Sequence, residues 1–395
     1  MSASFYEFFC PVKIIAGHKA LEHIPFELGV LQSERPMVIT DKGVIGAGLL
    51  AHVEASLQAA DIAIAALFDE VPPDSSMDTV QQAAAMYRAQ GCDSILAVGG
   101  GSVIDTSKGV NILVSEGGQD LHAYAGAHNL KKPLKPLFVV PTTSGTGSEV
   151  TMVAVISDTK KQVKVPFTSY FLMPNAAILD PRMTVTLPAH LTAMTAMDAM
   201  THAIESYTCL ASNPVSEVYA FNAVKKVSAH LLNVMDKPTD AEGRLALAEA
   251  STMAGIAFSN AMVGLVHALG HSLGAVAHLP HGLCMNLFLP YVLEYNQEFI
   301  APRLGELLLA IGGAEMYAAT PSEARAGRTI EVVRQLRDAI YQRSKLPRTL
   351  KESGKVTRDQ LSQIAEMAVN DGSILFNPKE ADVGDLLALL NHAWS

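Results

Sequence analysis

Along the first 185 or so residues, short apolar runs alternate with stretches whose apolar positions recur at helical spacing. Pro36-Met-Val-Ile-Thr40 reads as a buried strand and is followed by Asp41. A helix is predicted over Ala47 to Ala60, then a strand over Ile62 to Phe68 and a turn at Pro72-Pro-Asp-Ser-Ser76. A second helix is predicted from Met77 to Gln90. The strand Ser94 to Val98 follows, and the run Gly99-Gly-Gly-Ser102 opens a helix reaching about Ser115. Leu137 to Pro141 reads as another strand, leading into Thr142-Thr-Ser-Gly-Thr-Gly-Ser148. Continuous apolar strands alternating with helices predict a parallel sheet covered on both faces. Strands are also predicted over Met152 to Ser157, Val163 to Pro166 and Ala176 to Leu179.

From Pro188 onward the pattern is Ala-, Leu- and Met-rich at helical spacing, with no convincing strand. The change predicts two domains, an α/β domain over 1–185 and an all-helical domain over 186–395. Pro302, Gly312-Gly313 and Pro321 punctuate the helices rather than form a linker. No repeat of 20 to 50 residues is apparent, nor any low-complexity tract.

Composition narrows the function classes. A chain of 395 residues, 49% hydrophobic and 17% charged, has ample material for two cores and is far from a disordered polymer. The net charge of −10 argues against a general nucleic-acid binder. Cys10, Cys92, Cys209 and Cys284 include no C-x-x-C pair, so reduced thiols are expected in place of disulfides. The N-terminus lacks the basic start and apolar run of a secretory signal, and no window offers about 20 uninterrupted apolar residues. A cytoplasmic protein without a membrane segment is the expectation.

The polar residues of the helical half carry the first candidate chemistry. Asp198 and His202 are four apart, as are His267 and His271, and His281 follows next to Pro280. Residues i and i+4 share a helix face, and their neighbours are Ala, Met, Leu and Val. Buried carboxylates and imidazoles need partners, and one divalent cation satisfies several together. Spacing alone leaves two readings open: a metal site, or histidines hydrogen-bonded within a core.

In the first half, Gly99 to Ser102 lies between a strand and a helix, where a missing Cβ lets backbone N–H groups approach a phosphate. The match to G-x-G-x-x-G is incomplete, since position 104 is Ile. Thr142 to Ser148 is a second such loop, and the pair suggests a crevice for one long phosphate-containing ligand. Asp41 is placed to accept hydrogen bonds from a ribose diol and would repel a 2′-phosphate. It precedes the glycine run instead of following it, so the strand order must differ from the usual nucleotide-binding arrangement. The competing reading makes Asp41 a cap on the turn at Lys42-Gly43.

Taken together, GGGSVIDTSK (99–108), PTTSGTGSEVT (141–151), AILDP (177–181), MDAMTHAIESY (197–207) and GLVHALGHSLGAVAHLPHG (264–282) resemble the iron-containing, or group III, alcohol dehydrogenases over nearly the whole chain. The resemblance implies a dehydroquinate synthase-like fold: an α/β dinucleotide-binding domain with a parallel sheet, an all-α second domain, and an active site in the cleft between them. It implies Asp198, His202, His267 and His281 as ligands of Fe(II), with Zn(II) as the alternative, and His271 as a non-ligand active-site histidine. It also implies an NAD site lined by Asp41, Gly99, Gly100, Gly101, Ser102, Asp105, Thr142, Thr143, Thr146 and Lys164. Phe376-Asn377-Pro378-Lys379 resembles the family's Asn-Pro-Arg segment, with Lys in place of Arg. A homodimer or larger homo-oligomer is implied as well.

The activity implied is hydride transfer between a small primary alcohol or diol and the nicotinamide, the metal holding the oxygen as alkoxide or polarised carbonyl. His271 would relay the alcohol proton or contact the nicotinamide, or else orient a ligand. Phe258 is a candidate pocket wall, with a core position as the plainer reading. Four rival readings are a metal-dependent cyclase resembling dehydroquinate synthase, a zinc-dependent polyol dehydrogenase, a metal phosphohydrolase and a non-catalytic metal-binding module. The last two leave the glycine loops and Asp41 without a purpose.

Overall fold

The computed structural model describes residues 5–161 and 163–395. The chain divides into two compact units, Cys10–Leu187 and Pro188–Ser395, the latter joined by the N-terminal residues up to Phe9.

The first unit carries strands β1 (Lys13–Ala16), β2 (Pro36–Ile39), β3 (Ala66–Phe68), β4 (Ser94–Gly99), β5 (Gly126–Ala127), β6 (Leu137–Pro141), β7 (Val153–Asp158), β8 (Val163–Thr168) and β9 (Ala176–Leu179). Its helices are α1 (Ile24–Val30), α2 (Lys42–Gly46), α3 (Leu50–Gln58), α4 (Met77–Ala89) and α5 (Gly101–Glu116). Six strands form a sheet in the order β1-β9-β6-β4-β2-β3, every pairing parallel. Alternate residues of one strand enter opposite cores. Met37, Ile39, Ile95, Ala97 and Val139 pack with α4 and α5, whereas Val38, Leu96, Val98, Phe138 and Val140 pack with α1 and α3. Burial on both faces explains why these strands read as unbroken apolar runs. A smaller sheet, β5-β8-β7, contains the antiparallel β7–β8 pair.

Two predicted elements change. The helix expected over Ala47 to Ala60 is the shorter α3, which starts only after Gly48 with its φ of +74°, and a separate short helix, α2, precedes it where none was predicted. The strand expected from Ile62 shrinks to Ala66–Phe68, because the chain turns through Asp61 at φ +57° before it can extend.

The second unit is helical: α6 (Ala189–Thr208), α7 (Pro214–Asp236), α8 (Ala241–Ala261), α9 (Leu265–Ala277), α10 (His281–Ala319), α11 (Arg325–Ser344), α12 (Gln360–Ala368) and α13 (Val383–His392). No strand follows Leu179 among the described residues. α7 begins with a capping box in which Asn213 and Ser216 satisfy each other's backbone, with Pro214 in the first turn. α10 is interrupted at Ile300, two residues before Pro302, and at Gly313, with φ +82°. The N-terminal segment joins this unit through local contacts that contiguous domain limits leave out. Phe8 stacks on Tyr219 at 5.8 Å, and the Phe9 N–H donates to Asn260 Oδ1 at 2.7 Å. None of the four cysteines is in a disulfide. Among the described residues no single helix is long and apolar enough to cross a membrane.

Candidate metal centre and nucleotide loops

Three pieces of the helical unit build one polar cluster inside an apolar core. α6 presents Asp198 and His202 from consecutive turns, α9 presents His267, and His281 is the first residue of α10. The chain turns back between α9 and α10 at His278, whose backbone is left-handed, and Pro280 starts the next helix. Gly282 allows that first turn to lie against α6, since a Cβ there would come within 2.3 Å of the Met194 carbonyl oxygen. One ligand atom from each of Asp198, His202, His267 and His281 lies within 4.8 Å of all the others.

The donors are short of partners. Asp198, His202 and His267 are no more than 5% exposed. Asp198 Oδ1, His202 Nδ1 and His267 Nε2 accept or donate no hydrogen bond. Asp198 Oδ1 does lie 3.2 Å from His281 Nε2 and 3.9 Å from His202 Nδ1, close enough for charge interaction. Stranding three buried polar atoms within one cluster costs about 1–3 kcal/mol each, which a shared cation removes. Electrostatics favours the form that binds metal. Burial pushes His202 down to about 3 and His267 well below its ordinary range, so both imidazoles are neutral. Burial alone would raise Asp198, but the neighbouring His202 and His281 outweigh it and hold the carboxyl below the usual carboxylate range. Neutral imidazoles and an ionised carboxylate are the states a divalent cation requires. The donor set and its unpartnered atoms therefore fit such an ion.

His271 stands beside this group, not within it. Its ring stacks on His281 at 5.4 Å and meets the His267 ring edge-on at 5.7 Å. Its Nδ1 lies 2.9 Å from Asp371 Oδ2. Burial opposes the charge on Asp371, yet the hydrogen bond to His271 leaves that carboxyl below its ordinary value. Phe258, read as a pocket wall or core residue, stacks on His202 at 4.3 Å. Two residues near the centre escaped the sequence reading. Asp371 is distant in the chain and carries no local signal. Glu205 did carry one, lying seven residues after Asp198 on the same helical stripe, and its Oε2 is 2.5 Å from His267 Nδ1. Burial raises Glu205 to about 7, against the lowering effect of backbone hydrogen bonds from the start of α9.

In the α/β unit the loops that end β2, β4 and β6 leave the same end of three adjacent parallel strands. Asp41 follows β2, next to the glycine strand in space although earlier in the chain. The carboxylate caps α2, Oδ1 accepting the Val44 N–H at 2.9 Å. That capping role is the competing reading of Asp41, and the second carboxylate oxygen does not take part in it. Gly100 and Gly101 sit against the Thr142–Ser148 loop. A Cβ on Gly100 would lie 3.2 Å from Thr143, and one on Gly101 would lie 2.8 Å from Thr146 Cγ2. The Thr142 N–H donates to the Gly99 carbonyl at 3.1 Å, closing the two loops into one cradle over the start of α5. Ser102 hydrogen-bonds the Pro73 carbonyl. Asp105 accepts the Val155 N–H at 2.9 Å through Oδ2, while Oδ1 is buried without a partner. Burial raises Asp105 to about 6 despite nearby Lys108. Lys164, on β8, pairs at 3.4 Å with the exposed Asp74.

The two halves match two family descriptions in turn. Residues 11–181 match "Iron-containing alcohol dehydrogenase", and residues 192–394 match "Fe-containing alcohol dehydrogenase family, C-terminal". The chain is 31% identical over 386 residues to an NAD-dependent methanol dehydrogenase of Bacillus methanolicus, covering 98% of this chain and 99% of that protein. It is 32% identical over 396 residues to a 1,3-propanediol dehydrogenase of Klebsiella pneumoniae, covering 100% of both. Among solved structures, a 1,3-propanediol oxidoreductase superposes with a TM-score of 0.94 at 32% identity, over 99% of this chain and 100% of that one.

Proposed function

Because the chain belongs to the iron-containing alcohol dehydrogenase family, we propose that it transfers hydride between the carbinol carbon of a small primary alcohol or diol and the nicotinamide of NAD, and runs the reverse reduction of the aldehyde. The observation that carries this reading is the convergence of one carboxylate and three imidazoles, with three buried atoms of the set left unpartnered. Asp198, His202, His267 and His281 would hold Fe(II) or Zn(II), which when bound would supply Lewis acidity to the substrate oxygen.

The chain's own residues account for the rest. Asp198 contributes the negative charge of the donor set, and burial keeps His202 and His267 in the neutral form that can donate a lone pair. His271, more exposed, has Nδ1 anchored on the ionised Asp371, which leaves Nε2 as the nitrogen that can carry a proton to solvent. Gly99, Gly100, Gly101 and Ser102 hold the pyrophosphate at the start of α5, where N–H groups and the helix dipole favour an anion. Asp41 takes the adenosine ribose diol and disfavours the 2′-phosphate of NADP. Asp105, Thr142, Thr143, Thr146 and Lys164 line the remainder of the cofactor site.

The test is NADH formation, followed by absorbance, from a panel of small alcohols and diols with anaerobically purified protein reconstituted with Fe(II) or Zn(II). The proposal predicts metal-dependent NADH formation and slower turnover with NADP. No turnover on any alcohol or aldehyde, with metal bound, would contradict it.

A further inference from the structure

We infer that Glu205 is a positioning residue: its carboxylate keeps the imidazole proton of His267 on Nδ1 and so turns an unprotonated Nε2 toward Asp198, His202 and His281. The inference rests on the reading that these four residues hold a cation, and it concerns how one of them is held ready.

Glu205 lies on α6 and is 5% exposed. Its Oε1 accepts the Val266 N–H at 2.6 Å, and its Oε2 contacts His267 Nδ1 at 2.5 Å. A backbone N–H is a donor only, so Oε1 is committed as an acceptor. In its ionised form the carboxylate has no proton to offer, so the second contact then requires the imidazole to donate. A neutral imidazole has a single N–H. With that proton on Nδ1, Nε2 must carry the lone pair, and Nε2 is the His267 atom that finds no partner in the protein.

The position also suits a negative charge. α9 begins at Gly264, which supplies no capping side chain. Its first N–H groups are taken by residues from elsewhere in the chain: Leu265 donates to Asn377 Oδ1 at 3.3 Å and Val266 to Glu205. Asn377 is itself braced by a reciprocal amide pair with Asn296, at 2.8 Å in each direction. A Cβ on Gly264 would press within 3.2 Å of both Glu205 Oε1 and Asn377 Oδ1, so glycine lets the two acceptors close on the helix start. The positive end of the α9 dipole then favours the carboxylate over the neutral acid. One acidic side chain thus caps the helix that carries His267 and sets which nitrogen that histidine presents.

Glu205→Gln separates these roles. An amide has one acceptor oxygen, which the Val266 N–H still requires, so the NH₂ group faces His267 Nδ1 and drives the ring proton to Nε2. In metal-free protein at mildly alkaline pH, side-chain ¹⁵N–¹H correlation spectra should show His267 protonated on Nδ1 in the wild type and on Nε2 in E205Q. Cobalt(II) titration should show affinity weakened by roughly 10–100-fold in E205Q and largely restored in Glu205→Asp. A cap and nothing more would lower the melting temperature of E205Q without moving the ring proton. A wild-type spectrum with the proton on Nε2 overturns the inference, and so does an E205Q protein with unchanged tautomer and cobalt affinity. Should E205Q fail to fold, the wild-type spectrum decides alone. A wild type that binds no cobalt refutes the cation site instead, and its metal-free spectrum still reports on Glu205.

Discussion

In the α/β unit a fully buried lysine, Lys108, donates to the Thr151 carbonyl at 2.7 Å, the Val153 carbonyl at 2.8 Å and Thr151 Oγ1 at 3.1 Å. In the helical unit, Asp198, His202 and His267 are buried as deeply, yet each keeps an atom with no partner. Both arrangements put polar groups where desolvation is expensive. The lysine answers that cost inside the protein and acts as a structural tie between α5 and the β7 edge. The helical cluster leaves the cost standing, and only a ligand from outside offsets it. Burial by itself therefore does not mark a functional site; burial combined with missing partners, gathered at one point, does.

The largest effect should come from removing a donor of the unsatisfied cluster. His267→Ala is expected to lose bound metal and alcohol oxidation together, by on the order of 10³-fold or more in kcat/KM, while circular dichroism stays that of a folded protein. Next comes the metal itself. Adding a divalent ion to metal-free protein at about a thousand times its Kd should raise unfolding free energy by ~4 kcal/mol, and the gain should vanish in His267→Ala. Denaturant titration in the presence and absence of metal measures it. The satisfied lysine should behave in the opposite manner: Lys108→Met is expected to cost about 1–3 kcal/mol by removing the ammonium that the Thr151 and Val153 carbonyls share, with metal content unchanged. The smallest effect belongs to Asp41→Gly. Selectivity for NAD over NADP should fall about tenfold, or ~1.4 kcal/mol, while glycine at the α2 cap costs only a few tenths of a kcal/mol. Unaltered selectivity in steady-state kinetics would leave Asp41 as a cap alone.

Much of this was legible in the sequence because it is local. β6 and β9 have the limits that their apolar runs predict, and the face shared by Asp198 and His202 follows from helical spacing. What escaped depends on the rest of the molecule. β1 is a four-residue strand at the sheet edge with mostly exposed side chains, and its apolar run, Ile14-Ile15-Ala16, is too short to mark a strand by itself. The N-terminal aromatic residues join the helical unit through Tyr219 and Asn260, contacts that no periodicity encodes. The anchors of the two central α9 histidines, Glu205 for His267 and Asp371 for His271, lie 62 and 100 residues away in the chain. Glu205 was visible as a third polar residue on the α6 stripe, but its meaning required knowing that α9 starts against it.

The claim beneath all of this is that Asp198, His202, His267 and His281 share one cation. Elemental analysis of anaerobically purified wild type and His267→Ala, with alcohol turnover measured on the same samples, tests it most directly. The account predicts about one iron or zinc per wild-type chain, with both metal and activity absent from the variant. A metal-free protein that oxidises alcohol at full rate would contradict it.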